Sequence, residues 1–376
     1  MIKAGIYVHI PFCKVKCLYC DFYSLAEREN SIDKFINAIT KEIKISSVDV
    51  SNWNIDTIFI GGGTPSILKG QQLEKIISAL SQKYDLTRLA EFTLEVNPGE
   101  VTIEDLKLYK SLGINRLSIG VQSFQIQLLK FLTRTHERKD IFKTYNNARS
   151  VGFENINIDL IYSIPGQTLN LLEKDLNEVA ILHPEHISAY NLTLEKNTEL
   201  FKMVKKNIVA MPSESVNAGF FERTVKFFKS KNYKLYEISN FSKSDSQCKH
   251  NLHYWNIDPY LGFGPSAHSF DLKYRWHNTK NLDSYIKNID QKKPVRANIE
   301  LLSEVNKLNE IIGFGLRMSS GFDIKVIPIK YRKEFKNKLT SAKKKFESCL
   351  VEKDHNIKLS EEGTLYADEI IVNLLF

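Results

Sequence analysis

Three of the five cysteines lie within eight residues of one another near the start of the chain. Cys13, Cys17 and Cys20 have the spacing CxxxCxxC, whereas Cys248 and Cys349 lie far downstream. An odd number of closely spaced thiols cannot pair completely as disulfides, which favours a soft metal or a metal cluster. Three thiolates are too few for a closed structural zinc site. A four-iron cluster can take three thiolates and leave one iron open for chemistry. Three buried structural cysteines are the alternative.

The loop around these cysteines follows an apolar, strand-like run and ends in an aromatic residue before Cys20. This arrangement resembles the signature of the radical S-adenosylmethionine enzymes. The resemblance implies a [4Fe-4S] cluster on Cys13, Cys17 and Cys20, with S-adenosylmethionine bound to the open iron and cleaved to a 5′-deoxyadenosyl radical. Tyr7, in the string YVHIPFC, resembles the tyrosine that lies beside the bound S-adenosylmethionine in the coproporphyrinogen-oxidase-like branch of these proteins.

A glycine run follows the second predicted strand, in the string Gly61-Gly62-Gly63-Thr64-Pro65. Glycines let backbone amides approach a ligand closely, and such loops often bind phosphate, but a tight structural turn explains the run equally well. Beside the cysteine loop, the GGGTP string is similar to a turn of the radical S-adenosylmethionine proteins. The resemblance implies that Gly62, Gly63 and Thr64 contact the amino group of S-adenosylmethionine.

Four further polar residues lie at or beyond predicted strand ends, namely Glu95, Gln122, Arg134 and Asp159. A zwitterionic nucleoside needs acceptors and donors there, although each residue could equally form structural hydrogen bonds. The order of the strings EVNPG, RLSIGVQSF and NIDLIYSIPGQT is similar to that of the coproporphyrinogen-oxidase-like branch of the same superfamily. In that branch these positions contact S-adenosylmethionine. No catalytic side chain is assigned.

Strand patterns alternate with helical patterns six times in the first half of the chain. The predicted strands include 56–60, 92–97, 116–122, 155–161 and 186–193, and each is followed by apolar residues at helical spacing. Ser31 is predicted to cap the first helix, and Thr102 with Asp105 resembles a capping box. Such alternation predicts a parallel sheet with helices outside it and right-handed crossovers. We therefore predict an α/β fold, a partial (β/α)6 barrel of the TIM type with its chemistry at the carboxyl ends of the strands.

Three segments are predicted along the chain. Residues 1–240 form the radical S-adenosylmethionine core barrel, and residues 241–300 form an extension rich in histidine and aromatic residues. Residues 301–376 read as a small, mainly helical domain that is winged-helix-like and similar to the carboxyl-terminal domain of the coproporphyrinogen oxidases. The length of 376 residues suits a barrel of about 250 residues with an accessory domain.

Two sequence features distinguish the members of the coproporphyrinogen-oxidase-like branch from one another. In the oxygen-independent coproporphyrinogen III oxidases the cluster loop carries one more cysteine, at the position that is Phe22 here. Those enzymes also have a long amino-terminal extension, whereas this chain begins six residues before Tyr7. Both departures argue against porphyrinogen decarboxylation, which is kept as the alternative function.

The extension contains the string HNLHYW, with His250, Asn251, Tyr254 and Trp255. It resembles the HNxxYW haem-binding motif of the HemW haem chaperones. The resemblance implies haem as a third ligand and a haem-requiring protein as its acceptor. Chemically, an imidazole can ligate haem iron, and Tyr and Trp rings offer flat apolar surface to a porphyrin. If the family resemblance is set aside, histidine and aromatic residues in such a segment more often form a packed corner of the fold than a ligand site.

The composition of the chain limits its expected location and its expected macromolecular partners. The chain is 43% hydrophobic and 26% charged, as in ordinary globular proteins, and it has no apolar run of about 18 residues or signal-like leader. A cytoplasmic location is expected. The net charge of +8 includes a basic run at 332–345, whose interleaved apolar residues predict a solvated amphipathic helix, so no nucleic-acid partner is expected. Peripheral contact with an anionic membrane and a cluster-dependent homodimer are compatible with the sequence.

Overall fold

Six parallel strands occur in sequence order at the centre of the fold. A computed structural model describes residues 1–376, and in it these strands are hydrogen-bonded in the order β1 to β6. Their bounds are β1 (Ile2–Ile10), β2 (Trp53–Gly62), β3 (Glu91–Val96), β4 (Arg116–Gln122), β5 (Asn155–Tyr162) and β6 (His186–Asn191). β1 is not paired with β6, so the barrel is open, as the partial-barrel prediction requires.

Helices separate successive strands and cover the outer face of the sheet. They are α1 (Ile32–Ile45), α2 (Gly70–Lys83), α3 (Ile103–Ser111), α4 (Ile126–Phe131), α5 (Arg138–Ser150) and α6 (Leu169–Leu182). The apolar stripe of α1, including Phe35, Ile36 and Ile39, is buried in the core between sheet and helices. Each such side chain contributes roughly 1.5–3 kcal/mol by leaving water, which fixes the helix against the sheet.

Two predictions about helix starts had different outcomes. Thr102 accepts a hydrogen bond from the Asp105 backbone N–H, and the Asp105 carboxylate accepts one from the Thr102 backbone, so the capping box is confirmed. Ser31 precedes α1 but its side chain does not cap it, so that prediction was wrong. The Ser31 hydroxyl instead accepts hydrogen bonds from Arg28, in a short 3₁₀ turn that leads into the helix.

The sheet continues beyond the parallel strands at both edges. The next elements are α7 (Glu199–Lys205), α8 (Glu214–Ser230), β7 (Lys234–Glu237), β8 (Asn240–Ser242), α9 (Lys249–Trp255), β9 (Tyr260–Phe263), β10 (His268–Phe270), β11 (Tyr274–Asn278), α10 (Leu282–Asp290) and β12 (Arg296–Leu301). β8 pairs with β6 in antiparallel orientation, and β9 pairs with β1 in parallel orientation. The twelve-stranded sheet therefore has the order β12-β11-β10-β9-β1-β2-β3-β4-β5-β6-β8-β7.

The carboxyl-terminal residues form a second, smaller apolar core. Its elements are α11 (Glu304–Arg317), β13 (Phe322–Asp323), α12 (Ile329–Lys345), β14 (Leu350–Lys353), β15 (Asn356–Leu359) and α13 (Ala367–Leu374). The basic run lies on α12, which buries Phe335, Leu339 and Ala342, as an amphipathic helix with a solvated face does. The limits of the three predicted segments stay a prediction.

Candidate functional site

The loop that carries the three cysteines runs from β1 to α1 and is pinned by backbone hydrogen bonds. Cys13 N donates to Leu25 O (3.0 Å) and Leu25 N donates to Pro11 O (2.7 Å), which closes the base of the loop. Farther along, Leu18 N donates to Thr133 Oγ1 (3.0 Å). These bonds hold the loop above the carboxyl ends of the strands. There Cys13, Cys17 and Cys20 all line one cavity of about 1430 Å³.

Hydrogen-bond donors face two of the thiols. Thr64 Oγ1 lies 3.5 Å from Cys13 Sγ, and Arg134 Nη1 lies 3.8 Å from Cys17 Sγ. Burial raises the pKa of Cys13 and of Cys20, because a buried thiolate loses hydration, whereas the hydrogen bond from Thr64 lowers the pKa of Cys13. The surroundings therefore supply donors and a nearby cation for thiolates that a metal would stabilise.

The donor set suits a cluster better than a single ion. No group of three or more His, Cys, Asp or Glu side chains is gathered tightly enough to hold one metal ion. Each thiolate of a four-iron cluster binds a different iron, so its ligands are more widely spaced than the four of a zinc site. Three free, half-buried cysteines on one loop beside a large cavity fit an iron–sulfur cluster with one open iron.

The glycine turn after β2 is packed directly against the cysteine loop. Gly63 N donates to Ile10 O (2.7 Å) and Thr64 N donates to Phe12 O (2.7 Å). A Cβ atom on Gly63 would lie 2.5 Å from Phe12 O and 3.0 Å from Cys13 Sγ, so no other residue fits without movement. Gly62 has φ +114°, a conformation that glycine adopts readily. The turn thus forms a wall of the cavity beside the cysteines.

A connected set of polar side chains continues this wall. Arg134 Nη2 donates to Asn97 Oδ1 (2.7 Å) and to a backbone carbonyl of β4, and Asn97 Nδ2 donates to Thr64 Oγ1 (3.1 Å). Glu95 Oε2 accepts a hydrogen bond from Gly62 N (3.0 Å). Burial, with a contribution from Asp159, raises the pKa of Glu95 to about 8. Glu95 is therefore mostly protonated at neutral pH in the unliganded site.

The other residues implied by the resemblance are placed less uniformly. Asp159 lines the cavity and accepts a hydrogen bond from Asn157 Nδ2 (2.7 Å). Gln122, with φ +66°, also lines it at the end of β4. Tyr7 does not line it; its hydroxyl is hydrogen-bonded to His9 Nδ1 (3.0 Å) and its ring packs near Phe59, which does line the cavity. The structure thus brings together every predicted residue of this group except Tyr7.

The string HNLHYW lies in a helix. This helix, α9, packs across the end of the barrel at which the strands begin, which we call the floor. Glu91, the first residue of β3, accepts hydrogen bonds from the backbone N–H groups of Lys249 (2.9 Å) and His250 (3.0 Å). A carboxylate that caps the amino terminus of a helix in this way stabilises it.

His250 is 1% exposed, and both of its ring nitrogens are hydrogen-bonded. Nδ1 lies 2.8 Å from Thr57 Oγ1 and Nε2 lies 2.9 Å from Tyr254 OH. Burial keeps the pKa of His250 well below its usual value. Asn251 lines the cavity, whereas Trp255 packs edge-on against Phe314 of α11. This geometry matches a packed corner, and the predicted role of His250 as an iron ligand stays a prediction.

Most of the polar side chains inside the barrel were not predicted from the sequence. Those that line the cavity and were not predicted include Asn97, Arg116, Ser118, Asn157, Ser188 and Tyr190. Many lie at every second position of a strand, as in R-x-S-x-G-x-Q along β4, N-x-D along β5 and H-x-S-x-Y along β6. A period of two places such residues on one face of a strand, and that signal could have found them.

Comparison with known proteins identifies the family of this chain. The radical SAM superfamily pattern matches residues 7–179. "Heme chaperone HemW" of Bacillus subtilis (strain 168) is 35% identical over 368 residues, covering 97% of each chain. The chain belongs to the HemW family. "Heme chaperone HemW" of Escherichia coli (strain K12) is 35% identical over 265 residues, which are 70% of this chain and 69% of that protein.

A solved structure shares the whole architecture of this HemW family member. Coproporphyrinogen III oxidase (HemN) from Escherichia coli, described as a radical SAM enzyme, superposes with a TM-score of 0.85 at 23% identity. The match covers 99% of this chain and 90% of that one, and at this identity it shows the fold alone. Membership of the radical SAM superfamily implies a [4Fe-4S] cluster and S-adenosylmethionine. None of the helices combines the length and apolar character needed to span a bilayer.

Proposed function

We propose that this protein is a haem chaperone, which binds a [4Fe-4S] cluster, S-adenosylmethionine and haem and passes the haem to a haem-requiring protein. The observation that carries the proposal is the match to named heme chaperones along nearly the full length of both chains. The cluster loop, which continues with Asp21 and Phe22 rather than a further cysteine, agrees with it. A cytoplasmic location, a cluster-dependent homodimer and peripheral membrane contact belong to the same proposal.

The cluster ligands under this proposal are Cys13, Cys17 and Cys20. S-adenosylmethionine lies against the polar wall, with Gly62, Gly63, Thr64, Glu95, Gln122, Arg134 and Asp159 as its contacts and Tyr7 behind them. When bound, the cluster and S-adenosylmethionine together supply one-electron chemistry. Side chains of this protein orient the cluster and S-adenosylmethionine. Thr64 and Arg134 direct hydrogen-bond donors at the thiols. Glu95, which accepts one hydrogen bond from Gly62, can accept a further one from an amino group.

Haem binding is assigned to the region of His250, Asn251, Tyr254 and Trp255, in the segment 241–300. Ligation of iron by His250 requires its ring to leave Thr57 and Tyr254, at the cost of two buried hydrogen bonds. A haem site that uses this segment without moving α9 has Asn251 as its contact, because only Asn251 of the four lines the cavity.

The test begins with anaerobic reconstitution of the cluster, followed by a haem titration and an incubation with coproporphyrinogen III, reductant and S-adenosylmethionine. We expect stoichiometric haem binding and no catalytic formation of protoporphyrinogen. Catalytic turnover would show the alternative function, oxygen-independent coproporphyrinogen III oxidation. Failure of the reconstituted protein to bind haem would overturn the chaperone proposal. A Cys17→Ser variant serves as the control that lacks an intact cluster.

A further inference from the structure

Arg116 is the bulkiest side chain that is almost completely buried in this protein, and it lines the cavity at the floor. It is 2% exposed and is the first residue of β4. Its one hydrogen bond, from Nη1 to Thr93 Oγ1, is long at 3.4 Å, and its Nε has no partner. A buried guanidinium keeps its charge and has five N–H donors to satisfy. Most of the donors of Arg116 therefore lack a protein acceptor.

Two acidic side chains that attract Arg116 electrostatically, Glu91 and Asp159, already accept hydrogen bonds from other donors. Glu91 accepts hydrogen bonds from the amino terminus of α9, and Asp159 accepts them from Asn157 and Ser118. Both acids attract Arg116 through space, but no oxygen of either carboxylate lies within 4.0 Å of a guanidinium nitrogen. A buried charge without a close partner is costly, and an anionic ligand offsets that cost.

The cavity has room for such a ligand beside the nucleoside cofactor. Its volume of about 1430 Å³ exceeds the ~300–1,000 Å³ of pockets that hold one drug-sized molecule. The cysteines and the glycine turn lie at the carboxyl ends of the strands, whereas Arg116 lies at the floor, at the start of β4. Asn251, from the predicted haem motif, lines the same cavity. Two ligand groups can therefore be held apart in one chamber.

We propose that Arg116 binds a carboxylate of the second ligand in the barrel cavity, and that this carboxylate is a propionate of haem. The inference rests on the proposed function and adds a residue that the motif HNxxYW does not contain. A guanidinium matches a carboxylate in a bidentate, charge-assisted arrangement. Asn251 supplies a neutral donor from α9, so the haem segment and the barrel core both contribute to the site.

The experiment compares two ligands on the reconstituted full chain, in the presence of saturating S-adenosylmethionine. Haem and haem dimethyl ester, whose propionates are blocked, are titrated by absorption. Because charged hydrogen bonds contribute about 1.5–3 kcal/mol, we expect haem to bind about 10- to 100-fold more tightly than the ester. In Arg116→Met, haem binding falls by the same factor and the difference between the two ligands disappears. Arg116→Lys keeps the positive charge, so this variant retains part of the preference for haem over its ester.

The matched control is Arg149→Met. Arg149 is a half-buried arginine on α5 that pairs with Glu185 (2.6 Å), outside the cavity, so this variant keeps the preference for haem over its ester. Equal binding of haem and ester by the parent overturns the inference without any mutant, even if Arg116→Met does not fold. A preference that persists in Arg116→Met also overturns it. Absence of haem binding by the parent instead refutes the proposed function, and the inference with it.

Discussion

The two ends of strand β3 show how differently one barrel uses similar side chains. Glu91, at the floor, is 2% exposed and accepts backbone hydrogen bonds from the amino terminus of α9. Glu95, four residues later, faces the cavity, accepts one hydrogen bond from Gly62, and has a pKa raised by burial to about 8. The first carboxylate is used to build the fold, whereas the second still has bonding capacity for a ligand.

The same difference separates the two motifs that stand out in the sequence. At the carboxyl ends of the strands, Cys13, Cys17 and Cys20 line an open cavity, and none of them is in a disulfide. At the floor, both ring nitrogens of His250 are already hydrogen-bonded. Residue type and spacing therefore identify groups capable of chemistry, but only the remaining bonding capacity of each group shows whether it is available.

The largest expected effect is on the cluster. Replacing Cys13 by Ser should abolish the stable [4Fe-4S] cluster, because only three protein thiolates are provided. Iron and acid-labile sulfide, measured after anaerobic reconstitution, should fall to background. Cys349→Ser is the control, since Cys349 lies in the carboxyl-terminal core and should leave the cluster content unchanged. Full cluster content in Cys13→Ser would contradict the assignment.

At the floor we expect a structural rather than a purely ligand-related effect. His250→Ala leaves the hydroxyls of Thr57 and Tyr254 without a buried partner and creates a cavity, which together cost about 3–5 kcal/mol. Urea unfolding of the haem-free protein measures this loss. Tyr254→Phe, which removes one of the two hydrogen bonds, should cost about 1–2 kcal/mol. Unchanged stability of haem-free His250→Ala would show that His250 is not held as described.

The protonation of Glu95 should make stability depend on pH. The pKa of Glu95 is about 8 in the folded chain against an ordinary value of 4.5. The contribution of protonated Glu95 to the free energy of unfolding is therefore complete below pH 4.5 and is lost as the pH rises to about 8. The free energy of unfolding of the parent should therefore fall by about 2–4 kcal/mol more over this interval than that of Glu95→Gln. Unfolding curves at several pH values, without S-adenosylmethionine, test this. Parallel pH profiles for the two proteins would exclude it.

The smallest effect concerns the reduction potential of the cluster. Thr64→Val removes the hydroxyl that lies 3.5 Å from Cys13 Sγ while keeping the shape of the side chain. Hydrogen bonds to ligand sulfurs are among the factors that set cluster potentials. Loss of one should lower the potential by a few tens of millivolts, as ~59 mV corresponds to a tenfold change for one electron. A redox titration followed by electron paramagnetic resonance measures the shift, and an unchanged potential would show that the contact is not made.

Much of the barrel could be predicted because its signals are local. Apolar periodicity in the sequence predicts the strands at 116–122 and near 155–161 and the helical stripe of α1. The apolar residues of these patterns are the ones that the core buries. The edge strands β9 to β12 could not be predicted, since they are short and their pairing depends on edges formed by distant residues. The helix α9 was missed because a capping carboxylate from β3 defines its start, and no residue near it in the sequence indicates that cap.

The sequence by itself determined the chemistry at the carboxyl ends of the strands. Three thiols on one loop and a glycine turn after a strand are local features, and their spacing already limits what they can bind. The tertiary structure alone decided which groups remain available, because hydrogen bonds from other residues occupy His250 and Glu91, whereas Arg116 has only one long hydrogen bond and an unpartnered Nε. Bonding capacity depends on neighbours in space, and those neighbours are up to 193 residues apart in the chain.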